Sequence, residues 1–210
     1  MKNKKDIAEY IQQPDFELQS ETHLLTTHLW LISNELISII QALRIEDILE
    51  KQFTIMKTSK HNLEYSPVRA VLFESVPYRI VIGLSKILVG TKEYSLIKTI
   101  NKMSQISELN RNSIIMKTIN DITKFIDTSK TVEAVTTLRD GFYAHLDKKC
   151  VLSDCRIDVS IPLKHIDQNE LIELLTLVKQ LHDSSCDDVL PIDIEEIKSD
   201  EVLKAFLYYK

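Results

Sequence analysis

The sequence predicts an all-α protein. Residues that favour turns are scarce, because the 210 residues contain only 3 Gly and 5 Pro. A hydrophobic fraction of 44% is sufficient for a buried core in one domain of this length. Apolar residues also recur at steps of three and four along most of the chain, which is the spacing of helices that bury one face. We therefore expect a single bundle of helices.

The first and longest predicted helix covers about residues 21–56, with residue 60 as an alternative end. Its apolar stripe steps by four and three, and consists of Leu25, Leu29, Ile32, Leu36, Ile39 and Leu43. Trp30 lies beside this stripe, and we interpret it as a packing residue rather than as part of a ligand site. The most apolar window, residues 23–43, is too polar to span a bilayer, since it is interrupted by His28, Asn34 and Glu35.

The second predicted helix begins at Ser66 and Pro67, with the hydroxyl as N-cap and the proline in the first turn, where a missing N–H is tolerated. Pro77 falls inside this helix and should kink it, because it removes one backbone donor and clashes with the preceding turn. Gly90 is the predicted stop, and Thr91 the predicted cap of the next helix.

Three further helices are predicted from apolar spacing, over residues 96–106, 115–126 and 132–146. Residues 157–161 instead alternate between apolar and polar side chains, which indicates a short extended stretch that Pro162 ends. The chain therefore returns to helix only after this stretch.

Two capping signals predict where the last helices begin. Asp167 followed by Glu170 is typical of a capping box, and Asp193 followed by Glu196 repeats the signal. No linker, repeat or low-complexity segment divides the chain. We expect one domain over residues 1–210, with an N-terminal extension over 1–20 and a C-terminal helix over 185–210.

The charge balance excludes some classes of function. A formal net charge of −5 argues against a protein that coats nucleic acid without sequence preference, since that affinity comes from many Lys and Arg contacts to phosphates. A local basic cleft is still compatible with this balance. No Gly-rich phosphate loop and no G-x-S-x-G motif occurs, so an ATPase or a serine hydrolase is disfavoured.

Residues 1–13 are charged and lack the apolar region of a secretory signal. The 3 cysteines include no C-x-x-C pair, which suits reduced thiols. We therefore expect a cytoplasmic protein without membrane contact. Cys150, Cys155, His182 and Cys186 could in principle form a zinc site. Their spacings match no common zinc module, so we expect neither metal nor cofactor.

The segment from Arg139 to His145, RDGFYAH, carries the main functional signal. The guanidinium of Arg139 can bind an anionic phosphate and offset charge that develops in a transition state. The imidazole of His145 can give or take a proton near neutral pH. Phosphate-ester chemistry on RNA needs both groups. A purely structural interpretation is also open, since a histidine near a helix C-terminus and an exposed Arg–Asp pair are both common.

On a regular helix these two side chains do not converge. Six steps of about 100° place His145 about 120° around the axis from Arg139 and about 9 Å along it. The two side chains can meet if the helix is distorted, which Gly141 would permit, or if another helix contributes.

The phrase LRDGFYAHLDK resembles the motif of the HEPN superfamily, and most of all its AbiU-like, abortive-infection branch. The similarity extends upstream to residues 70–103, a long helix followed by a leucine-rich stretch and a short break. It extends downstream to IDVSIPLKHID and the helix after it. Together these parts cover about two thirds of the chain.

The resemblance implies an up-and-down bundle of long antiparallel helices that forms a homodimer, with motif helices of both copies facing one cleft. It also implies a metal-independent endoribonuclease, in which the ribose 2′-hydroxyl attacks its own phosphodiester. His145 would act as general base, or as acid towards the leaving 5′-oxygen. Arg139 would stabilise the pentacoordinate phosphate.

Other residues would have supporting roles. Asp140 would position the guanidinium or the imidazole. Tyr143 would stack on a base or bind a phosphate, unless its ring is buried in the dimer interface. We expect substrate contacts from Lys148, Lys149 and Arg79. For Arg79 the alternative is an exposed or carboxylate-paired side chain.

As a member of this branch, the protein would be a toxin or phage-defence effector that cleaves RNA, in a toxin–antitoxin or abortive-infection setting, with a cognate antitoxin protein as a further partner. The alternative is a non-catalytic HEPN module that binds nucleotide, RNA or a partner protein through the same cleft.

Overall fold

The structure, a computed structural model, describes residues 21–58, 67–90, 95–140 and 165–199, and these residues are almost entirely helical. No strand occurs within these ranges, so the all-α prediction is confirmed for them. The helices are α1 (Glu21–Thr58), α2 (Pro67–Leu84), α3 (Leu96–Gln105), α4 (Ser107–Asn110), α5 (Ser113–Thr128), α6 (Lys130–Leu138), α7 (Gln168–Ser185) and α8 (Ile194–Lys198). A π-helical turn, Ser85–Val89, continues α2.

Helix α1 lies at the centre of the core and packs against α7 and α2, and to a smaller extent against α3. Every residue of its predicted apolar stripe is buried, and four of them, Leu25, Leu29, Leu36 and Ile39, are at most 1% exposed. Full burial of one such side chain contributes about 1.5–3 kcal/mol. The stripe therefore stabilises α1 between Leu25 and Leu43.

Helix α2 begins at Pro67 and contains Pro77, as predicted. It approaches α1 closely at Gly83, where an added Cβ would lie 2.8 Å from Cδ1 of Ile39 and 2.9 Å from Oε1 of Glu35. Glycine is required there by the close contact between helices. The helical conformation ends before Gly90, which is extended, so this predicted stop is confirmed.

The cap of the next helix differs from the prediction. Helix α3 begins at Leu96, and the hydroxyl of Ser95 accepts a hydrogen bond from the N–H of Lys98. Ser95 is therefore the N-cap. Thr91, the predicted cap, lies outside the described residues.

The start of α7 is joined to the start of α6. Asp167 caps α7 as predicted, since its carboxylate accepts a hydrogen bond from the N–H of Asn169 at 2.7 Å. The predicted capping box is wrong, because the N–H of Asp167 donates instead to the hydroxyl of Thr131 at 3.0 Å. Glu170 turns to the neighbouring helix, where it accepts from the hydroxyl of Ser129 at 2.6 Å and from the N–H of Thr131 at 3.2 Å.

The last described helix, α8, is capped by Asp193 as predicted, with hydrogen bonds from the N–H groups of Glu195 and Glu196. It contains 5 residues. The N-terminal extension over 1–20, the extended stretch over 157–161 and residues 200–210 lie outside the described ranges. Within those ranges, no helix has both the length and the apolarity needed to cross a membrane.

Candidate functional site

The motif begins where α6 ends. Val135 and Leu138 bury the apolar face of α6, which packs against the π turn, α2 and α5. After Leu138 the hydrogen-bond pattern widens from α to π at Arg139 and Asp140. The α-helical geometry assumed for the separation of Arg139 from His145 is therefore not the geometry at Arg139 and Asp140.

Arg139 and Asp140 form an ion pair at this site. The Nε of Arg139 donates to Oδ1 of Asp140 at 2.6 Å, and the two side chains are 31% and 53% exposed. The hydrogen bond to Asp140 raises the pKa of Arg139 above its ordinary value, although partial burial opposes the shift. The guanidinium is thus charged, paired with Asp140 and partly accessible from solvent. An anionic ligand could bind it there.

The rest of the motif and its basic neighbours fall outside the described residues: Gly141, Tyr143, His145, Lys148 and Lys149. Among the residues of the predicted site that the structure describes, Arg139 and Asp140 are in contact with each other. The convergence of Arg139 with His145 stays a prediction.

Arg79 lies on α2 and pairs with a carboxylate. Its two terminal nitrogens donate to the two carboxylate oxygens of Glu35 on α1, with Nη2 to Oε2 at 2.7 Å. Nη2 also lies 3.4 Å from the hydroxyl of Ser38. The hydrogen bond from Arg79 lowers the pKa of Glu35, although burial opposes the shift, and the same bond raises the pKa of Arg79. In the structure Arg79 has the alternative interpretation, a side chain paired with a carboxylate. Its role as a substrate contact stays a prediction.

Two of the four possible zinc ligands drawn from the sequence, His182 and Cys186, lie close together at the C-terminal end of α7. Sγ of Cys186 is 3.8 Å from Nδ1 of His182, and that nitrogen is 3.2 Å from Oδ1 of Asp183. Burial raises the pKa of Cys186, so the thiol favours its protonated form. Cys150 and Cys155 lie outside the described residues. Within the ranges that are described, no group of three or more His, Cys, Asp or Glu side chains could hold a metal ion.

The structure also shows a buried arginine that the sequence did not single out. Arg44 on α1 is 7% exposed and donates to the backbone carbonyl of Ile197 on α8. Its Nε and Nη2 lie 2.8 and 2.9 Å from the side-chain oxygen of Gln168, when that amide is oriented to accept. Arg44 therefore ties α1 to the start of α7 and to α8.

A groove of about 270 Å³ runs beside Arg44, between α1 and residues 191–197. Trp30 lines it and is 45% exposed, so the predicted packing role of Trp30 holds only for part of its ring system. The other residues from α1 are Asn34, Ile37 and Gln41. This surface could have been predicted from the sequence. These residues follow one another at helical spacing on the side of α1 opposite to the buried stripe.

Comparison of the chain with protein-family models, with curated proteins and with solved structures gave no match in any of the three. The resemblance to the HEPN superfamily therefore depends on the sequence alone, and the segment from Arg139 to His145 is its most specific part.

Proposed function

We propose that this protein is a metal-independent endoribonuclease of the HEPN type, AbiU-like, which acts in the cytoplasm as a toxin or phage-defence effector. The main support is the position of Arg139. Its guanidinium is charged, partly exposed and held by Asp140 where α6 ends. The sequence places His145 six residues further on.

The chemistry follows from these two groups. His145 removes the proton of the ribose 2′-hydroxyl, which attacks the adjacent phosphorus, or it protonates the leaving 5′-oxygen. Arg139 binds the non-bridging oxygens, whose charge increases in the pentacoordinate transition state. The products are a 2′,3′-cyclic phosphate and a 5′-hydroxyl. DNA is not cleaved, because it lacks the nucleophile.

A homodimer supplies the second part of the site. Motif segments from two copies that meet at a two-fold axis would present two guanidiniums and two imidazoles to one RNA strand. Tyr143, Lys148 and Lys149 would then contact bases or phosphates at the edge of the cleft. A cognate antitoxin protein would act by covering this cleft.

One observation favours a second function. The Arg139–Asp140 pair is largely exposed, and such pairs are common on helix surfaces without any catalytic role. In that case the chain is a non-catalytic HEPN module that binds nucleotide, RNA or a partner protein through the guanidinium.

Cleavage of mixed RNA in the presence of EDTA tests the proposal. The unchanged protein should produce 2′,3′-cyclic phosphate ends, and His145→Ala and Arg139→Ala should each reduce the rate by about 100-fold or more. Arg111→Ala is the matched control, because Arg111 is an exposed arginine in the turn before α5. Equal cleavage by His145→Ala would refute the nuclease. RNA binding without cleavage, reduced by Arg139→Ala, would support the second function.

A further inference from the structure

Helix α3 has one buried face and one polar face. The buried side chains are Leu96, Thr99, Ile100 and Met103. On the other side, Lys98, Asn101 and Gln105 are exposed, and Lys102 is half-buried. No Asp or Glu occurs in this helix, so the charge on its outer face is entirely positive.

Helix α5 adds to this polar surface. It packs against α3, and its first turns expose Lys117 and Asn120 before its first acidic residue, Asp121. The connection between the two helices is neutral, because Glu108 offsets the charge of Arg111. Arg111 therefore does not count towards the surface. We define the α3–α5 basic face as Lys98, Asn101, Lys102, Gln105, Lys117 and Asn120.

The lysines of the α3–α5 basic face are not neutralised by carboxylates. Four other basic side chains are held in ion pairs, namely Arg79, Arg139, Lys179 and Lys198. Within the described ranges, none of the three lysines of the face forms such a pair. Their charges are therefore balanced by mobile ions. A polyanion that binds several such lysines at once releases ions from its own atmosphere, which favours binding.

The negative charge of the protein is concentrated in other elements. Residues 165–199, which include α7 and α8, contain 9 acidic and 2 basic residues. That part of the surface repels a polyanion, whereas the α3–α5 basic face attracts it. The formal net charge of −5 therefore does not exclude a local contact with nucleic acid.

The composition of the α3–α5 basic face favours a phosphodiester backbone over a protein partner. Residues 95–120 are all described and contain no aromatic residue, and Ile114 is the one large apolar side chain among them that is exposed. The centre of a protein interface is built from aromatic and apolar side chains. Lys, Asn and Gln instead donate to phosphate oxygens. Without aromatic rings, the face also has no platform on which bases could stack.

We propose that the α3–α5 basic face binds the phosphate backbone of an RNA strand without reading its bases. The choice of RNA rests on the proposed function, whereas the charge pattern of the face does not depend on the motif. Helix α3 packs against the π turn, and so does α6, the helix that ends before Arg139. An RNA strand on this face is thus bound by elements that neighbour the helix leading to the candidate site.

Binding of a fluorescent, fully 2′-O-methylated RNA tests the face, because this RNA lacks the nucleophile and stays intact. The double variant Lys98→Gln, Lys102→Gln should weaken binding by about tenfold at low salt and lower the slope of log affinity against log salt by about 1.4. The double variant Lys51→Gln, Lys198→Gln is the matched control, because it removes the same charge from exposed positions outside the face. Lys117→Gln alone should lower the slope by about 0.7, which keeps the test informative if the α3 variant does not fold.

Single-stranded DNA of the same sequence should bind with similar affinity, since the contacts are to phosphates. Three results would each overturn the proposal: no binding by the unchanged protein, equal weakening by the two double variants, or a strong preference for RNA over DNA. Tighter binding of poly-glutamate than of RNA would overturn it as well and would assign the face to an acidic protein. Cleavage of unmethylated RNA is measured separately. Lysine-dependent binding without cleavage would support the face and count against the nuclease, and cleavage without lysine-dependent binding would do the reverse.

Discussion

The carboxylate of Glu170 accepts a 2.6 Å hydrogen bond from the hydroxyl of Ser129, 41 residues earlier in the chain. Ser129 is the N-cap of α6, and its oxygen accepts in turn from the N–H of Val132. The bond therefore fixes the start of the helix whose other end carries Arg139. The position of the candidate site depends on a contact between α6 and α7.

Removing this carboxylate should destabilise the protein. Glu170→Ala leaves the hydroxyl of Ser129 and the N–H of Thr131 without their acceptor, and a hydrogen bond to a charged group contributes about 1.5–3 kcal/mol. We expect the free energy of unfolding in urea to fall by about 2 kcal/mol. Glu173→Ala, an exposed position on the same helix, should change it by less than about 0.5 kcal/mol. Equal losses in the two variants would contradict this role.

The same carboxylate should make stability depend on pH. Burial alone would raise the pKa of Glu170, but hydrogen bonds from Ser129 and Thr131 outweigh burial and hold the pKa below its ordinary value. A lowered pKa in the folded state stabilises the protein above the unfolded pKa of about 4, and this stabilisation is lost as pH falls through the folded pKa. The free energy of unfolding should thus fall more steeply below about pH 4 for the unchanged protein than for Glu170→Gln. Parallel curves of unfolding free energy against pH for the two proteins would contradict this role of the Glu170 carboxylate.

Gly83 sets the distance between α1 and α2. A larger side chain would contact Ile39, which is fully buried and cannot move aside without disturbing the core. We expect Gly83→Val to lower the free energy of unfolding by about 2–3 kcal/mol, as overpacking does elsewhere. Ser75→Val on the same helix is exposed and serves as control. A neutral Gly83→Val would show that the two helices can separate freely.

The Glu35–Arg79 pair should contribute little to stability. Its side chains are 29% and 44% exposed, and exposed pairs contribute about 0.2–1 kcal/mol. A double-mutant cycle of Glu35→Gln and Arg79→Ala should give a coupling energy within this range that decreases at high salt. Additive effects would contradict a stabilising contribution from this pair. A loss of RNA binding in Arg79→Ala, without a matching loss in Glu35→Gln, would instead assign Arg79 to the substrate.

Most of the helices were predicted from local sequence signals, because the apolar spacing and the N-cap of a helix both lie within one segment of the chain. The apolar stripe of α1 and the N-caps Asp167 and Asp193 occur where the sequence indicates. The observed end of α1, Thr58, lies between the two ends that the sequence allows, Met56 and Lys60.

Features that depend on a second helix were not predictable in the same way. Glu170 has the spacing of a capping box, but Ser129 and Thr131 offer it better donors across the bundle. The burial of Arg44 likewise depends on α8, which is far away in sequence. At the candidate site, the Arg139–Asp140 pair follows from adjacency, whereas any contact with His145 depends on residues beyond the described ranges.

The proposed nuclease is tested most directly by one comparison of substrates. Purified protein in EDTA is given an RNA oligonucleotide and the same sequence with every 2′-hydroxyl methylated, and the ends of the products are identified by mass. We predict cleavage of the first with 2′,3′-cyclic phosphate ends and no cleavage of the second, because methylation removes the nucleophile. Cleavage of both, or products with 5′-phosphate ends, would contradict the mechanism assigned to Arg139 and His145.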